Sequence, residues 1–419
     1  MFDFSNHLSN ISALALKNAA HEFGRIEENT EYNQQKMLKA FVKNGVSEAM
    51  FAPSTGYGYG DRGREVIDRV FADAVGAEDA VVRHNFTCGT HTLTVALFGV
   101  LRPGDTMLCV TGLPYDTIQP AIGIGGDEAH SGSLCDFGVR YAQVDLDPEG
   151  RPDYPAIQKA IEEIRPKMVY IQRSRGYSLR PSLSVDEIEI ICNLAHTFSD
   201  AVVMVDNCYG EFTEQKEPVE VGADLMAGSL IKNPGGGIAP TGGYIAGRHD
   251  LVELCCNRLT TPGLGREVGA TLGHTRELFM GLFHAPHVVG EALKTAAFAA
   301  HLFSLLGFET TPAPGEDRHD IIQAVKLQKA ENLIAFCRGL QKASPIDSFV
   351  VPEPSDMPGY DSKVIMAAGA FTLGSSIELS ADGPLREPFA VWMQGGLNFH
   401  SAKLAVLSAA QAVFDAQEG

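Results

Sequence analysis

The stretch MVYIQRSRGYSLRPSLSVDEIEIICNLAHTFSDAVVMVDNCYGEF, residues 168–212, sets two apolar runs on either side of an amphipathic one. MVYIQRS (168–174) and AVVMVDNCYGEF (201–212) read as strands, and SVDEIEIICNLAHTF (184–198) reads as a helix. Strands that are apolar along their whole length and alternate with helices indicate a parallel sheet covered on both faces.

The alternation extends outward from this stretch. EVIDRVFADAVG (65–76) predicts a helix, DAVVRHNF (79–86) a strand, CGTHTLTVALFGVL (88–101) a helix and DTMLCVTG (105–112) a strand. PYDTIQPAIGI (114–124) reads as a helix start and YPAIQKAIEEI (154–164) as a helix. Residues 7–45 read as helical and rich in polar residues. From about Val288 a long helix opens a second region, with shorter segments such as DSFVV and VIMAAGAF between Pro/Gly loops. The expected division is an N-terminal helical arm (1–50), a large α/β domain (51–285) and a smaller α+β C-terminal domain (286–419).

With 419 residues, 45% apolar and 20% charged, the chain has the composition of a globular enzyme with a large core. A formal charge of −19 argues against a nucleic-acid binder or a docker on anionic membranes. No 18-residue apolar run stands out, and MFDFSNHLSN lacks the basic-then-apolar order of a signal peptide, so a cytoplasmic protein is expected. The eight cysteines are scattered and form no zinc or disulfide framework. His284 and His287 (HAPH) are the one close pair of metal-ligand type, and no metal site is expected.

Four features carry chemistry. Cys88–Gly89–Thr90 runs from a strand end into a helix, where backbone N–H groups and the helix dipole favour an anion; it reads equally as an ordinary helix start capped by Thr87. Asp206 ends a strongly apolar strand, and a carboxylate there calls for a cationic partner. Tyr209 follows three residues on, and a structural Asp206 capping the next segment is the competing reading. Lys232 follows the buried-type run ADLMAGSLIK and precedes a glycine run, a setting in which desolvation lowers the pKa of an amine. Ser229 lies three residues earlier, and a surface lysine beside a glycine hairpin is the alternative. Tyr115, after the Met107–Val110 run, is placed to lay its ring over a planar group, or simply to pack.

A Gly-led helix start, an aromatic after the next strand, then Asp-x-x-Tyr and Ser-x-x-Lys form the linear order of fold-type I pyridoxal-phosphate enzymes. The chain resembles their Cys/Met-metabolism branch, and within it the methionine γ-lyase-like family labelled aluminium resistance proteins. The resemblance rests on STGYGYGDRGRE, VDNCYGEF, SLIKNPGGGIAPTGGYIAG, RHDIIQAVKL, MPGYDSKVIMAAGAF and SSIELSADGPLREP. It implies the fold of aspartate aminotransferase-like enzymes, pyridoxal 5′-phosphate as cofactor and an amino-acid substrate.

By this resemblance Lys232 is the Schiff-base lysine, and Asp206 holds the pyridine nitrogen protonated, making the ring an electron sink. Tyr115 stacks on the cofactor and protonates a leaving thiolate. Gly89, Thr90 and Ser229 form the phosphate cup, with Tyr209 reaching a ring hydroxyl. Tyr59 and Arg62 match the Tyr-x-Arg clamp on a neighbouring subunit's phosphate, one residue off the usual spacing, with Arg64 the fallback. Arg386 grips the substrate α-carboxylate. The clamp implies a homo-oligomer, a dimer or dimer of dimers such as a homotetramer. The expected reaction is γ- or β-elimination from methionine or cystathionine, giving thiol, ammonia and 2-oxo acid. The same residues serve an aminotransferase or an aldolase. A desulfurase would need a mobile catalytic cysteine, and none is evident; a non-catalytic cofactor protein linked to metal tolerance is a further reading. RSRGYSLRPS leaves open whether Gln172, Arg173 or Ser174 faces the pyridine hydroxyl.

Overall fold

A computed structural model describes residues 3–125, 131–356 and 362–418. The first five residues of MPGYDSKVIMAAGAF, Met357 to Asp361, and Met1–Phe2 lie outside the described residues. The chain divides into two compact units, Asn33–Phe283 and Met1–Tyr32 with His284–Gly419.

The chain opens with helix α1 (Asn6–Lys43), which runs through the first unit boundary. There follow α2 (Arg62–Val75), β1 (Asp79–Arg83), α3 (Gly89–Val100), β2 (Thr106–Cys109), α4 (Gln119–Ile122), β3 (Arg140–Gln143), α5 (Tyr154–Ile164) and β4 (Met168–Gln172). The unit continues with α6 (Val185–Phe198), β5 (Val202–Asp206), β6 (Leu225–Ser229), β7 (Gly243–Gly247) and α7 (His249–Leu259). Its seven strands lie in the order β1-β7-β6-β5-β4-β2-β3. Neighbours from β3 through β6 pair in parallel, and only β7 runs against its two partners β6 and β1. β4 and β5 are buried along their whole length, as a sheet covered on both faces requires. Val81, Leu97, Met107, Met204 and Ile245 belong to one core cluster packed between sheet and helices. α6 starts on a capping box: Glu187 N–H donates to the Ser184 hydroxyl, and Ser184 N–H donates to the Glu187 carboxylate at 2.9 Å.

The second unit contains the larger part of α8 (Thr275–Leu305), then β8 (Glu309–Thr311), β9 (Ile322–Lys326), α9 (Ala330–Lys342), β10 (Val364–Ala368), β11 (Ser380–Pro384), β12 (Ala390–Gln394) and α10 (Phe399–Glu418). Its sheet is antiparallel, in the order β10-β11-β12-β9-β8. Phe298, Phe303, Phe336, Val391 and Val406 are shared members of its core.

Three sequence expectations need correction. The long helix begins at Thr275 rather than near Val288, because Pro286 sits inside it where a proline normally signals a break. The helix start expected over 114–124 gives only the short α4. α8 is long and apolar enough to cross a membrane by composition, yet 72% of its most apolar stretch is buried inside the protein, as in a core helix.

Candidate active site

Parallel strands deliver their carboxyl ends to one edge of the sheet, where open α/β sheets bind ligands. β4 ends on Gln172, β5 on Asp206 and β6 on Ser229, with Lys232 in the β6–β7 connection. Lys232, Asp206, Tyr209, Tyr115, Cys208, Gln172 and Ser174 line one pocket of about 370 Å³. The half-buried Lys232 ammonium stands 4.1 Å from the centre of the Tyr209 ring. Tyr209 adopts a left-handed backbone (φ 72°), a conformation costing about 1–3 kcal/mol in a non-glycine residue.

Asp206 is 6% exposed. Its carboxylate accepts the Cys208 N–H at 3.1 Å, and the Tyr170 hydroxyl donates to it at 3.5 Å. Burial pushes its pKa up, while the Lys232 charge and the bonds from Cys208 and Tyr170 pull it back. For Lys232 burial acts downward, but Cys208, Tyr209, Asp206 and Tyr115 outweigh it and hold the amine above the ordinary lysine value. Desolvation alone would have lowered it, so the acidic groups around it, Cys208 and Tyr209 foremost, decide the direction.

Tyr115 is anchored from below. Its backbone N–H donates to Gln172 Oε1 at 2.6 Å, while Gln172 Nε2 donates to the Ser174 carbonyl at 3.0 Å. Gln172 and Ser174 therefore reach the pocket. Arg173, itself fully buried, turns away to pair with the partly exposed Glu214 at 2.6 Å and to bond Asn207. Of the three residues that RSRGYSLRPS leaves open, Gln172 and Ser174 line the pocket, whereas Cys208 escapes motif reading because a thiol after a strand end is common in any sheet.

Beside this pocket lies a small cradle. α3 is capped by Cys88, not Thr87: the Cys88 sulfur accepts the His91 N–H at 3.3 Å. A β-carbon at Gly89 would stand 3.4 Å from the Ser229 β-carbon and 3.7 Å from the Cys208 sulfur. The helix start at Gly89 thus faces Ser229 at van der Waals distance, and the N–H groups of a helix start favour an anion such as phosphate. The Thr90 hydroxyl lies 2.7 Å from that of Thr117. A lysine amine, a buried acid, flanking tyrosines and a helix start facing Ser229 together fit pyridoxal 5′-phosphate.

Of the glycines after Lys232, Gly235 serves packing, while Gly236 and Gly237 hold left-handed backbone (φ 55° and 69°). A β-carbon at Gly235 would come within 1.6 Å of the Leu230 carbonyl oxygen, and one at Gly281 would come within 2.3 Å of the Gly235 carbonyl oxygen. Asn233 and Pro234, buried, form a short 3-10 turn with Gly235, and Asn233 Nδ2 donates to the Glu211 carbonyl at 3.0 Å. That bond ties the lysine segment to the turn bearing Tyr209.

Tyr59 and Arg62 are exposed, Tyr59 stacking on Tyr57 with ring centres 5.5 Å apart. Arg64 is buried, its guanidinium taken up by backbone carbonyls. In the other unit Arg386 is exposed in the turn between β11 and β12. Asp79, His249 and Glu253 gather elsewhere, but Arg266 pairs with both carboxylates.

The profile of the methionine gamma-lyase family matches residues 8–414 of the chain. The uncharacterised protein YnbB of Bacillus subtilis strain 168 is 47% identical over 421 residues, covering all of both chains. A carbon-sulfur lyase involved in aluminium resistance from Clostridium novyi NT has a structure with a TM-score of 0.94 to this one, at 48% identity over 97% of this chain and 96% of its own. The pyridoxal-5′-phosphate dependent protein YhfS of Escherichia coli gives a TM-score of 0.61 at 15% identity over 93% and 97%. This last likeness is one of fold, the fold-type I arrangement of a mostly parallel sheet with a smaller antiparallel unit.

Proposed function

The chain belongs to the methionine gamma-lyase family, and from that premise we propose that it cleaves a carbon–sulfur bond of a sulfur amino acid such as methionine or cystathionine. The cofactor is pyridoxal 5′-phosphate. The observation that carries this reading is the single pocket joining Lys232, Asp206, Tyr209 and Tyr115. Lys232 would hold the cofactor covalently, Asp206 its ring nitrogen, Tyr209 its ring hydroxyl, and Gly89, Thr90 and Ser229 its phosphate. Tyr59 and Arg62 of a second copy would complete the phosphate site, making the enzyme a homo-oligomer, a dimer or a homotetramer, in the cytoplasm.

When bound, the cofactor withdraws electrons from an attached amino acid and so weakens bonds at Cα and beyond. Lys232 Nζ, released by substrate, takes the Cα proton. The burial that raises the Asp206 pKa also keeps its carboxylate shielded, so that it pairs with the ring nitrogen rather than with water. Tyr115 donates its hydroxyl proton to the departing sulfur, its loop held by Gln172. Arg386 binds the substrate carboxylate. The products are a thiol, ammonia and a 2-oxo acid.

The test is to incubate the protein with methionine, homocysteine, cystathionine and cysteine and to follow thiol, ammonia and 2-oxo acid together. Stoichiometric release of all three supports elimination. 2-Oxo acid without thiol and ammonia marks an aminotransferase instead.

A further inference from the structure

Two loops distant in sequence are fastened together on one face of the sheet unit. The Arg64 side chain, 1% exposed, donates to the carbonyls of Gly58 at 2.9 Å, Gly269 at 2.8 Å and Glu267 at 3.1 Å. A second fastening lies beside it: the Thr271 hydroxyl donates to Asp61 at 2.8 Å, the Ser54 hydroxyl donates to the same oxygen, and Thr271 N–H donates to Ser54 Oγ at 3.0 Å. Gly269 N–H also donates to the Tyr57 carbonyl at 2.9 Å. The seam is tight enough that a β-carbon at Gly58 would stand 2.9 Å from the Ala270 backbone.

What this seam presents is unusual for a free surface. Tyr57 and Tyr59 are stacked with 69% and 63% of their area exposed, and Leu272 across the seam is 61% exposed. A buried arginine bonded to three carbonyls fixes the backbone of a loop whose own large side chains touch little of this chain. Rigid, exposed and stacked aromatics suit contact with another protein surface.

We propose that Arg64 is a positioning residue that acts in trans: it locks residues 54–62 and 265–272 into one flap, which carries Tyr59 and Arg62 to the cofactor-phosphate site of a second copy of this chain. This rests on the reading that the active site is shared between two chains. Arg64 itself touches neither cofactor nor substrate; its charge is absorbed by the carbonyls, and it works through the loop.

Mixed oligomers test it. Arg64→Met, with Lys232 intact, is co-expressed with Lys232→Ala, whose flap is intact, and oligomers carrying both differently tagged chains are isolated. Pyridoxal 5′-phosphate binding is titrated by visible absorbance. Arg64→Met alone is expected to bind about tenfold more weakly than wild type, and the mixed oligomers are expected to regain wild-type affinity at the sites that keep Lys232. A purely local folding role for Arg64 could not be rescued by another chain. A parallel mixture of Tyr59→Ala with Lys232→Ala tests the shared site without the clasp. Recovery there but not with Arg64→Met overturns the role of Arg64 alone, and recovery in neither overturns the shared site with it. Wild-type affinity in Arg64→Met by itself also refutes the proposal. Should Arg64→Met fail to fold, Thr271→Val loosens the same seam and enters the same mixture.

Discussion

Glu211 sits two residues after Tyr209, wholly buried, with Oε1 accepting the Tyr244 hydroxyl at 2.7 Å and Oε2 without a partner. Burial pushes its carboxyl up to about 8, against the opposing Tyr244 bond. The folded chain therefore keeps a proton there that the unfolded chain loses near the ordinary glutamate value of 4.5. With more protons bound in the folded state, the stabilisation is full below that value and is lost as pH rises to about 8. Glu211→Gln should remove this slope, so urea melts across the window should show wild type losing stability relative to the variant as pH rises; parallel curves would contradict it. Asp206→Asn makes a separate prediction. Its amide retains shape but not charge, so kcat for elimination should fall about 100-fold or more while cofactor remains bound. A kcat near wild type would remove Asp206 from the chemistry. Both residues are visible in the sequence, but only Asp206 draws notice there, because a strand-end acid has a known meaning and a buried acid on a turn does not.

The strand–helix alternation of the sheet unit was legible because its strands are short, apolar and bounded by polar residues, as at Met168–Gln172 and Val202–Asp206. The β6–β7 connection was not. A lysine followed by glycines suggests mobility, whereas Gly235 is packed against the Leu230 carbonyl at a distance no β-carbon tolerates. Gly235→Ala should accordingly destabilise the protein by about 3 kcal/mol or more, seen as a lowered thermal midpoint of the cofactor-free protein. An unchanged midpoint would contradict a packing role for Gly235. α8 was misread for a related reason: Pro286 has the chemistry of a break, but it lies in a 31-residue helix that continues past it. Helix α3 shows the limit on the polar side, since Thr87 and Cys88 are both exposed and only the observed Cys88–His91 bond decides which residue caps.

Across the molecule, the fold class follows from patterns that extend over hundreds of residues, and the whole-chain family match agrees with it. Partners in space are harder to read. The carbonyls that hold Arg64 come from residues 58, 267 and 269, the last two more than two hundred positions away in the chain, and no motif announces them. Arg386 stands in the same position: its exposure in a turn is a property of the chain, and its grip on substrate remains our proposal. A shared site also makes assembly and cofactor binding one equilibrium. On dilution, loss of cofactor absorbance should track dissociation measured by light scattering; monomers that retain cofactor would contradict the shared site.

If Lys232 anchors the cofactor, borohydride reduction of the loaded protein followed by peptide mass mapping will locate the bond. One phosphopyridoxyl group per chain is expected, carried by Lys232 and absent from Lys232→Ala. A modification on another lysine, or one that survives in Lys232→Ala, would contradict it.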